Sequence, residues 1–201
     1  MSALFPLFLK LEGRPVLLVG GGRVAAAKLT SLQDGRASVT VVAPEVLPEI
    51  LRSAATVHVR PFRPADLDGV WFVVSAATPE VNREVARAAS ERRVFVNAVD
   101  DPEQATAYTG GVLRRGGVTL SISTAGQAPA LAGLLREGLD AALPRDLDAW
   151  VETARVARPR WKASGVPLAD RRPALLRLLN GIYERRGLAY PGAHPAAEAL
   201  R

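Results

Sequence analysis

Through the first hundred residues, short and mostly apolar runs alternate with longer stretches whose apolar residues recur every three or four positions. The runs are Val16–Val19, Val39–Val42, Val57–Val59, Trp71–Ser75 and Val94–Asn97. Runs without a polar face predict strands buried on both sides, hence a parallel sheet covered by helices. The longer stretches predict helices over Arg23–Gln33 and Pro79–Glu91, the second with Thr78 as N-cap and Pro79 in the first helical position. A shorter helix within Pro44–Ala55 is limited by Pro48. Beyond residue 100 the pattern changes. Ala107–Thr109, Val112–Arg114 and Val118–Ser123 are short runs separated by Gly110-Gly111 and Gly116-Gly117, predicting extended and partly antiparallel structure. Helices are then predicted over Ala130–Leu143, ending before Pro144, and over Leu147–Ala157, capped by Asp146. Arg158–Pro167, with two prolines and a glycine, reads as a connection. A last amphipathic helix from Arg172 to about Arg186 would bury Leu175, Leu176, Leu178, Leu179 and Ile182. From Gly187 onward the tail is expected to be loosely ordered.

The junction of the first strand and first helix carries a motif. Val16-Leu17-Leu18-Val19 runs into Gly20-Gly21-Gly22-Arg23-Val24-Ala25, a G-x-G-x-x-A pattern. In a dinucleotide site Gly20 allows the tight turn, Gly22 lets backbone approach a pyrophosphate, and Ala25 lets the helix pack closely on the strand. The helix N-terminus then faces the phosphates. Glu45, at the end of the second strand, stands where a ribose hydroxyl needs a partner. The alternation and this turn together predict a Rossmann-like domain.

Composition narrows the classes. The 201 residues fit one large domain or a domain with an appendage, and 48% hydrophobic content suffices for a packed core. No apolar run reaches membrane-span length, and no basic region precedes the first apolar residues, so a cytoplasmic protein is expected. With no cysteine and only two histidines, His58 and His194, a protein-built metal site is not expected. The net charge of +6 is carried almost wholly by arginine, the three lysines being Lys10, Lys28 and Lys162. Arginine suits a polyanionic ligand, although drift in composition explains the charge equally well. Zinc-finger spacing, an RNA-binding aromatic signature and a compact basic block are all missing, so nucleic acid is not the expected partner.

Two further stretches carry candidate chemistry. Asn97-Ala98-Val99-Asp100-Asp101-Pro102 follows the last parallel strand, and ligands of such sheets bind at the carboxyl ends of strands. Asp100 there could accept a proton or orient a polar group, or serve only as a turn aspartate. Ser123-Thr124-Ala125-Gly126 lies between a strand and a helix, as an anion seat or a simple cap. The tyrosine–lysine pair of short-chain dehydrogenases is missing, and so are nucleophile-elbow and phosphate-loop lysine motifs.

With these residues in view, the chain resembles the precorrin-2 dehydrogenase family, the dehydrogenase/ferrochelatase module of siroheme synthase. The resemblance rests on Phe5-Pro6-Leu7-Phe8-Leu9, Gly13 through Val24, Val39 through Glu45, Ala76-Ala77-Thr78, Val96 through Asp100 and Ser121 through Glu137. It implies NAD-dependent oxidation of precorrin-2 to sirohydrochlorin. NAD contacts would fall at Gly20, Gly21, Gly22, Arg23, Val24, Pro44, Glu45, Ala76 and Ala77. Asp100 would be the essential carboxylate, with Asn97 and Thr124 toward the substrate. It also implies a homodimer. Some members insert ferrous iron as well, but Thr124-Ala125 stands where those members have serine and glycine. A bifunctional enzyme and a non-catalytic NAD-binding sensor are the alternatives. The expected organisation is α/β: a Rossmann-like NAD-binding domain over 1–113, a small α+β dimerisation segment over 114–145 and a helical segment over 146–201.

Overall fold

A computed structural model describes residues 4–185. Five parallel strands, β1 (Pro15–Val19), β2 (Ser38–Ala43), β3 (Thr56–Val59), β4 (Phe72–Ser75) and β5 (Phe95–Ala98), form one sheet in the order β3-β2-β1-β4-β5. This is the Rossmann-like α/β fold. Strand order reverses between β1 and β4, which opens a crevice at their carboxyl ends. Successive β1 residues explain the pattern of the sequence. Val16 and Leu18 face one core with Ala25, Leu29 and Leu32 of α1 (Arg23–Asp34). Leu17 and Val19 face another with Val85, Ala88 and Ala89 of α3 (Pro79–Glu91). Both faces are buried, so neither tolerates polar residues.

The short helix α2 (Pro48–Leu51) starts at Pro48, the residue expected to limit it, because proline's fixed φ suits the first helical turn. The crossover from β3 to β4 holds only a 3₁₀ turn, Pro64–Leu67, anchored by Arg60 donating twice to the Asp66 carboxylate at 2.8 and 2.6 Å. That pairing keeps Asp66 below the usual carboxylate range. Ala107–Thr109 is not a strand. The Thr106 and Ala107 N–H groups both donate to Val96 O at 2.9 Å, while Thr106 Oγ1 accepts the Val96 N–H at 2.9 Å and Asn97 Nδ2 donates to Ala107 O at 3.0 Å, so mixed backbone and side-chain bonds stand where a regular ladder would.

The chain divides into two compact units, one holding residues up to Gly110 together with Ser123–Pro129, the other holding Gly111–Ile122 and the chain from Ala130. In the second, β6 (Gly111–Arg115) and β7 (Val118–Ile122) form an antiparallel hairpin closed by Gly116 and Gly117 at φ +54° and +80°. Two consecutive positive φ angles are what a two-residue hairpin turn demands. Three helices follow: α4 (Pro129–Ala142), α5 (Leu147–Ala163) and α6 (Leu168–Arg185).

Several expectations change here. Helix α5 runs through Pro159 into the expected connection, and α6 starts at Leu168 with Pro173 inside it. Trp150, Leu175, Leu179, Ile182 and Tyr183 pack together between these helices, and this burial offsets the lost backbone bonds. Leu176 and Leu178 are exposed rather than buried. Tyr183, which sits one turn beyond Leu179, takes their place because the contact stripe is narrower than the run of leucines. Asp146 stands at the α5 N-cap without a side-chain capping bond, and its carboxylate accepts from Tyr183 Oη at 2.9 Å. The tail from Gly187 lies outside the described residues.

Candidate functional site

The glycine turn leaves β1 with Gly20 at φ +129°, open to glycine and strained for other residues. A side chain on Gly20 would overlap the Ala76 carbonyl oxygen, and one on Gly21 would overlap the Glu45 carbonyl oxygen. The turn is thus wedged between the ends of β4 and β2, and Leu47 N–H bonds to Gly21 O at 2.9 Å. Gly22, the N-cap of α1, is different. Its Cβ position faces open space. Backbone open to a ligand at a helix N-terminus fits a pyrophosphate. Ala25 is fully buried against the sheet, as close packing of strand and helix requires.

Arg23, Val24, Pro44 and Glu45 are exposed around this turn. Glu45 follows directly from the loop that Gly21 touches, so an exposed carboxylate stands at the edge where a ribose would lie. Ala76 and Ala77 are half-buried after β4. Their turn is held by two residues that the sequence reading passed over. Ser75 Oγ donates to Asn82 Oδ1 at 2.6 Å, and the same oxygen accepts the Ala77 N–H at 3.3 Å. Asn82 is a polar residue on the buried face of α3, and a polar residue at a core position was the available signal.

Asp100 sits beyond the end of β5, exposed, at φ +57°. Aspartate tolerates that left-handed geometry better than most residues, so turn chemistry and an outward-facing carboxylate coexist. Asn97 is buried, and both ends of its amide are engaged within the chain. Nδ2 donates to Ala107 O and Oδ1 accepts from Thr109 Oγ1 at 3.4 Å. It braces the 106–109 segment. Thr124 Oγ1 accepts the Ala128 N–H at 3.2 Å, and Ser123 Oγ accepts the Ala125 N–H at 3.1 Å. The loop is therefore tied locally before α4. It is also brought to the Asp100 turn, since a Cβ on Gly126 would lie 3.0 Å from Pro102 Cβ. Tyr108 Oη donates to Pro102 O at 3.0 Å on the same side. Ala125, at φ +53°, occupies a conformation natural to glycine.

One more residue belongs to this cluster. Lys28 of α1 is half-buried, donates from Nζ to Thr109 Oγ1 at 3.0 Å, and carries a charge that interacts with Asp100. Burial lowers it from the ordinary lysine value, and the Asp100 charge partly counters this. Its rarity, one of three lysines in an arginine-rich chain, was the only hint in the sequence. Among the described residues, no group of three or more histidine, aspartate or glutamate side chains is arranged to hold a metal ion.

Residues 7–111 match the family described as "Putative NAD(P)-binding". The chain belongs to this NAD(P)-binding family. The matched residues contain the glycine turn, Glu45, Ala76-Ala77 and Asp100. Among curated proteins, it is 42% identical over 179 residues to "Siroheme synthase 3" of Aeromonas hydrophila, covering 87% of this chain and 38% of that protein. It is 36% identical over 186 residues to "Siroheme synthase" of Zymomonas mobilis, covering 90% of this chain and 40% of that one. The chain thus spans about two-fifths of the length of these relatives. Among solved structures, "SirC, precorrin-2 dehydrogenase" shares the fold, with a TM-score of 0.70 at 24% identity over 88% of this chain and 89% of that one.

Proposed function

We propose that this chain oxidises precorrin-2 to sirohydrochlorin, with NAD bound along the glycine turn and Asp100 as the catalytic carboxylate. One observation carries the reading. The loop of Thr124 packs on Pro102, so two polar stretches far apart in sequence meet at the carboxyl end of the sheet that bears the glycine turn. A fold that only bound a dinucleotide needs the turn but not that convergence. The names of the relatives favour the same substrate class.

Gly20, Gly21 and Gly22 with Arg23 and Val24 would hold the pyrophosphate, Pro44 and Glu45 the adenosine ribose, and Ala76 and Ala77 the neighbouring ribose. NAD, when bound, supplies the hydride acceptor. The macrocycle loses one hydride from carbon and one proton, giving sirohydrochlorin, NADH and a proton. Asp100 accepts that proton and passes it to solvent. Thr124 would bind the substrate, while Asn97 would hold the segment that borders it. A polycarboxylate substrate suits the arginine-rich chain. A cytoplasmic site of action is part of the same proposal.

The assembly we propose is a homodimer through α4 and the β6–β7 hairpin. Leu131, Leu134, Leu135 and Leu139 form an exposed helical stripe on α4, with Leu134 66% exposed. A contiguous apolar stripe of this size calls for a partner, and a second copy covers it symmetrically. The test of function is incubation with precorrin-2 and NAD, following sirohydrochlorin by absorbance with and without ferrous iron. Sirohydrochlorin formed only with protein and NAD supports the reading. No NAD-dependent product removes it, and metal insertion above the protein-free rate would make the enzyme bifunctional.

A further inference from the structure

We propose that Lys28 is a positioning residue of this site: its protonated ammonium, held on Thr109 and linked through it to Asn97 of β5, keeps the Asp100 turn at the end of that strand in its working arrangement. The proposal rests on the catalytic reading of Asp100. Its geometric basis is a chain of donors with one direction. Lys28 Nζ donates to Thr109 Oγ1 at 3.0 Å, the Thr109 hydroxyl donates to Asn97 Oδ1 at 3.4 Å, and Asn97 Nδ2 donates to Ala107 O at 3.0 Å. An ammonium can only donate and a carbonyl oxygen can only accept, so the direction of the chain is fixed from both ends. Asn97 is the third residue of β5, and Asp100 follows it by three positions. The chain therefore ties α1 to the strand whose end presents the carboxylate.

A half-buried lysine is a costly way to fasten a helix to a loop unless its charge has a use. Here the charge that acts on it is that of Asp100, in the turn after β5. The 106–109 segment offers it the neutral Thr109, and β5 contributes the neutral Asn97. Because burial lowers Lys28 from the ordinary lysine value, the ammonium loses its proton at a less alkaline pH than a surface lysine. Turnover should fall with it.

The first test needs no substrate. Lysine Nζ resonances are titrated by NMR in the wild-type protein and in Asp100→Asn, the three lysines allowing assignment by substitution. Lys28 should titrate at lower pH in Asp100→Asn, because the countering negative charge is gone. Identical titrations overturn the proposal. A wild type that makes no sirohydrochlorin removes the functional reading instead and leaves this coupling standing, so the two failures are distinct. The second test is kinetic. Lys28→Met should keep its NAD affinity, lose roughly ten- to a hundredfold in kcat as outer partners of active groups do, and lose the alkaline fall. Lys28→Arg should recover much of kcat and move the fall out of range, since guanidinium stays protonated. Wild-type kcat with a wild-type alkaline fall in Lys28→Met overturns the proposal. Should Lys28→Met fail to fold, Thr109→Val keeps the lysine, removes its acceptor together with the donor to Asn97 Oδ1, and should lower kcat more than it alters KM. Unchanged kcat there is equally decisive against it.

Discussion

Asp100 and Glu45 are both exposed carboxylates at the carboxyl end of the same sheet, yet their surroundings differ. The charge of Asp100 acts on the half-buried Lys28 ammonium, while Glu45 borders a glycine turn. Asp100→Ala should fold and bind NAD but lose precorrin-2 oxidation by roughly a hundred- to ten-thousandfold, the usual loss for a general base. Melting temperature, NAD affinity and turnover on one preparation check this; near-normal turnover would take Asp100 out of the mechanism. Glu45 should repel a 2′-phosphate, so kcat/KM with NAD should exceed that with NADP. Glu45→Gln should narrow the gap by roughly tenfold, equivalent to about 1.4 kcal/mol. Steady-state kinetics with both cofactors decide it, and a wild-type preference for NADP would sink the assignment.

At the scale of an element, the glycine turn does two separate jobs. Gly21 is packed against the backbone of Glu45 and Val46, whereas Gly22 faces open space. Gly21→Ala must therefore shift backbone and should destabilise the protein by about 1–3 kcal/mol, as overpacking does. Gly22→Ala, at φ −86°, should melt normally and still weaken NAD binding, because its methyl occupies the side left open to the ligand. Thermal melts paired with NAD titrations separate the two, and equal behaviour of both variants would contradict this division. The helices α5 and α6 show packing overriding local preference. Pro159 reads as part of a connection in the sequence, and the last helix is expected to start only at Arg172, but the cluster of Trp150, Leu179, Ile182 and Tyr183 holds α5 through Pro159 and α6 through Pro173.

At the scale of the molecule, the proposed homodimer would bury the exposed leucine stripe of α4. Light scattering at micromolar concentration should give twice the monomer mass, and Leu134→Asp should shift the protein toward monomer, since a charge cannot be buried there without a partner. A wild-type monomer would refute the dimer. Among the described residues, no helix is long and apolar enough to cross a membrane.

What the sequence by itself determined is what short-range physics controls. Runs such as Val16–Val19, with no polar position, call for a strand covered on both faces, and the Gly20-Gly21-Gly22 run that follows calls for a turn. The positions of the five parallel strands and of α1 and α3 follow from these. What only the tertiary structure decided is which distant residues meet. Lys28 and Thr109 lie 81 positions apart, and nothing local to either one signals the bond. The buried amide of Asn97, the Ser75–Asn82 pair and the exposure of Leu176 and Leu178 belong with it. Each depends on which neighbour the folded chain supplies, and a residue's own spacing carries no record of that neighbour.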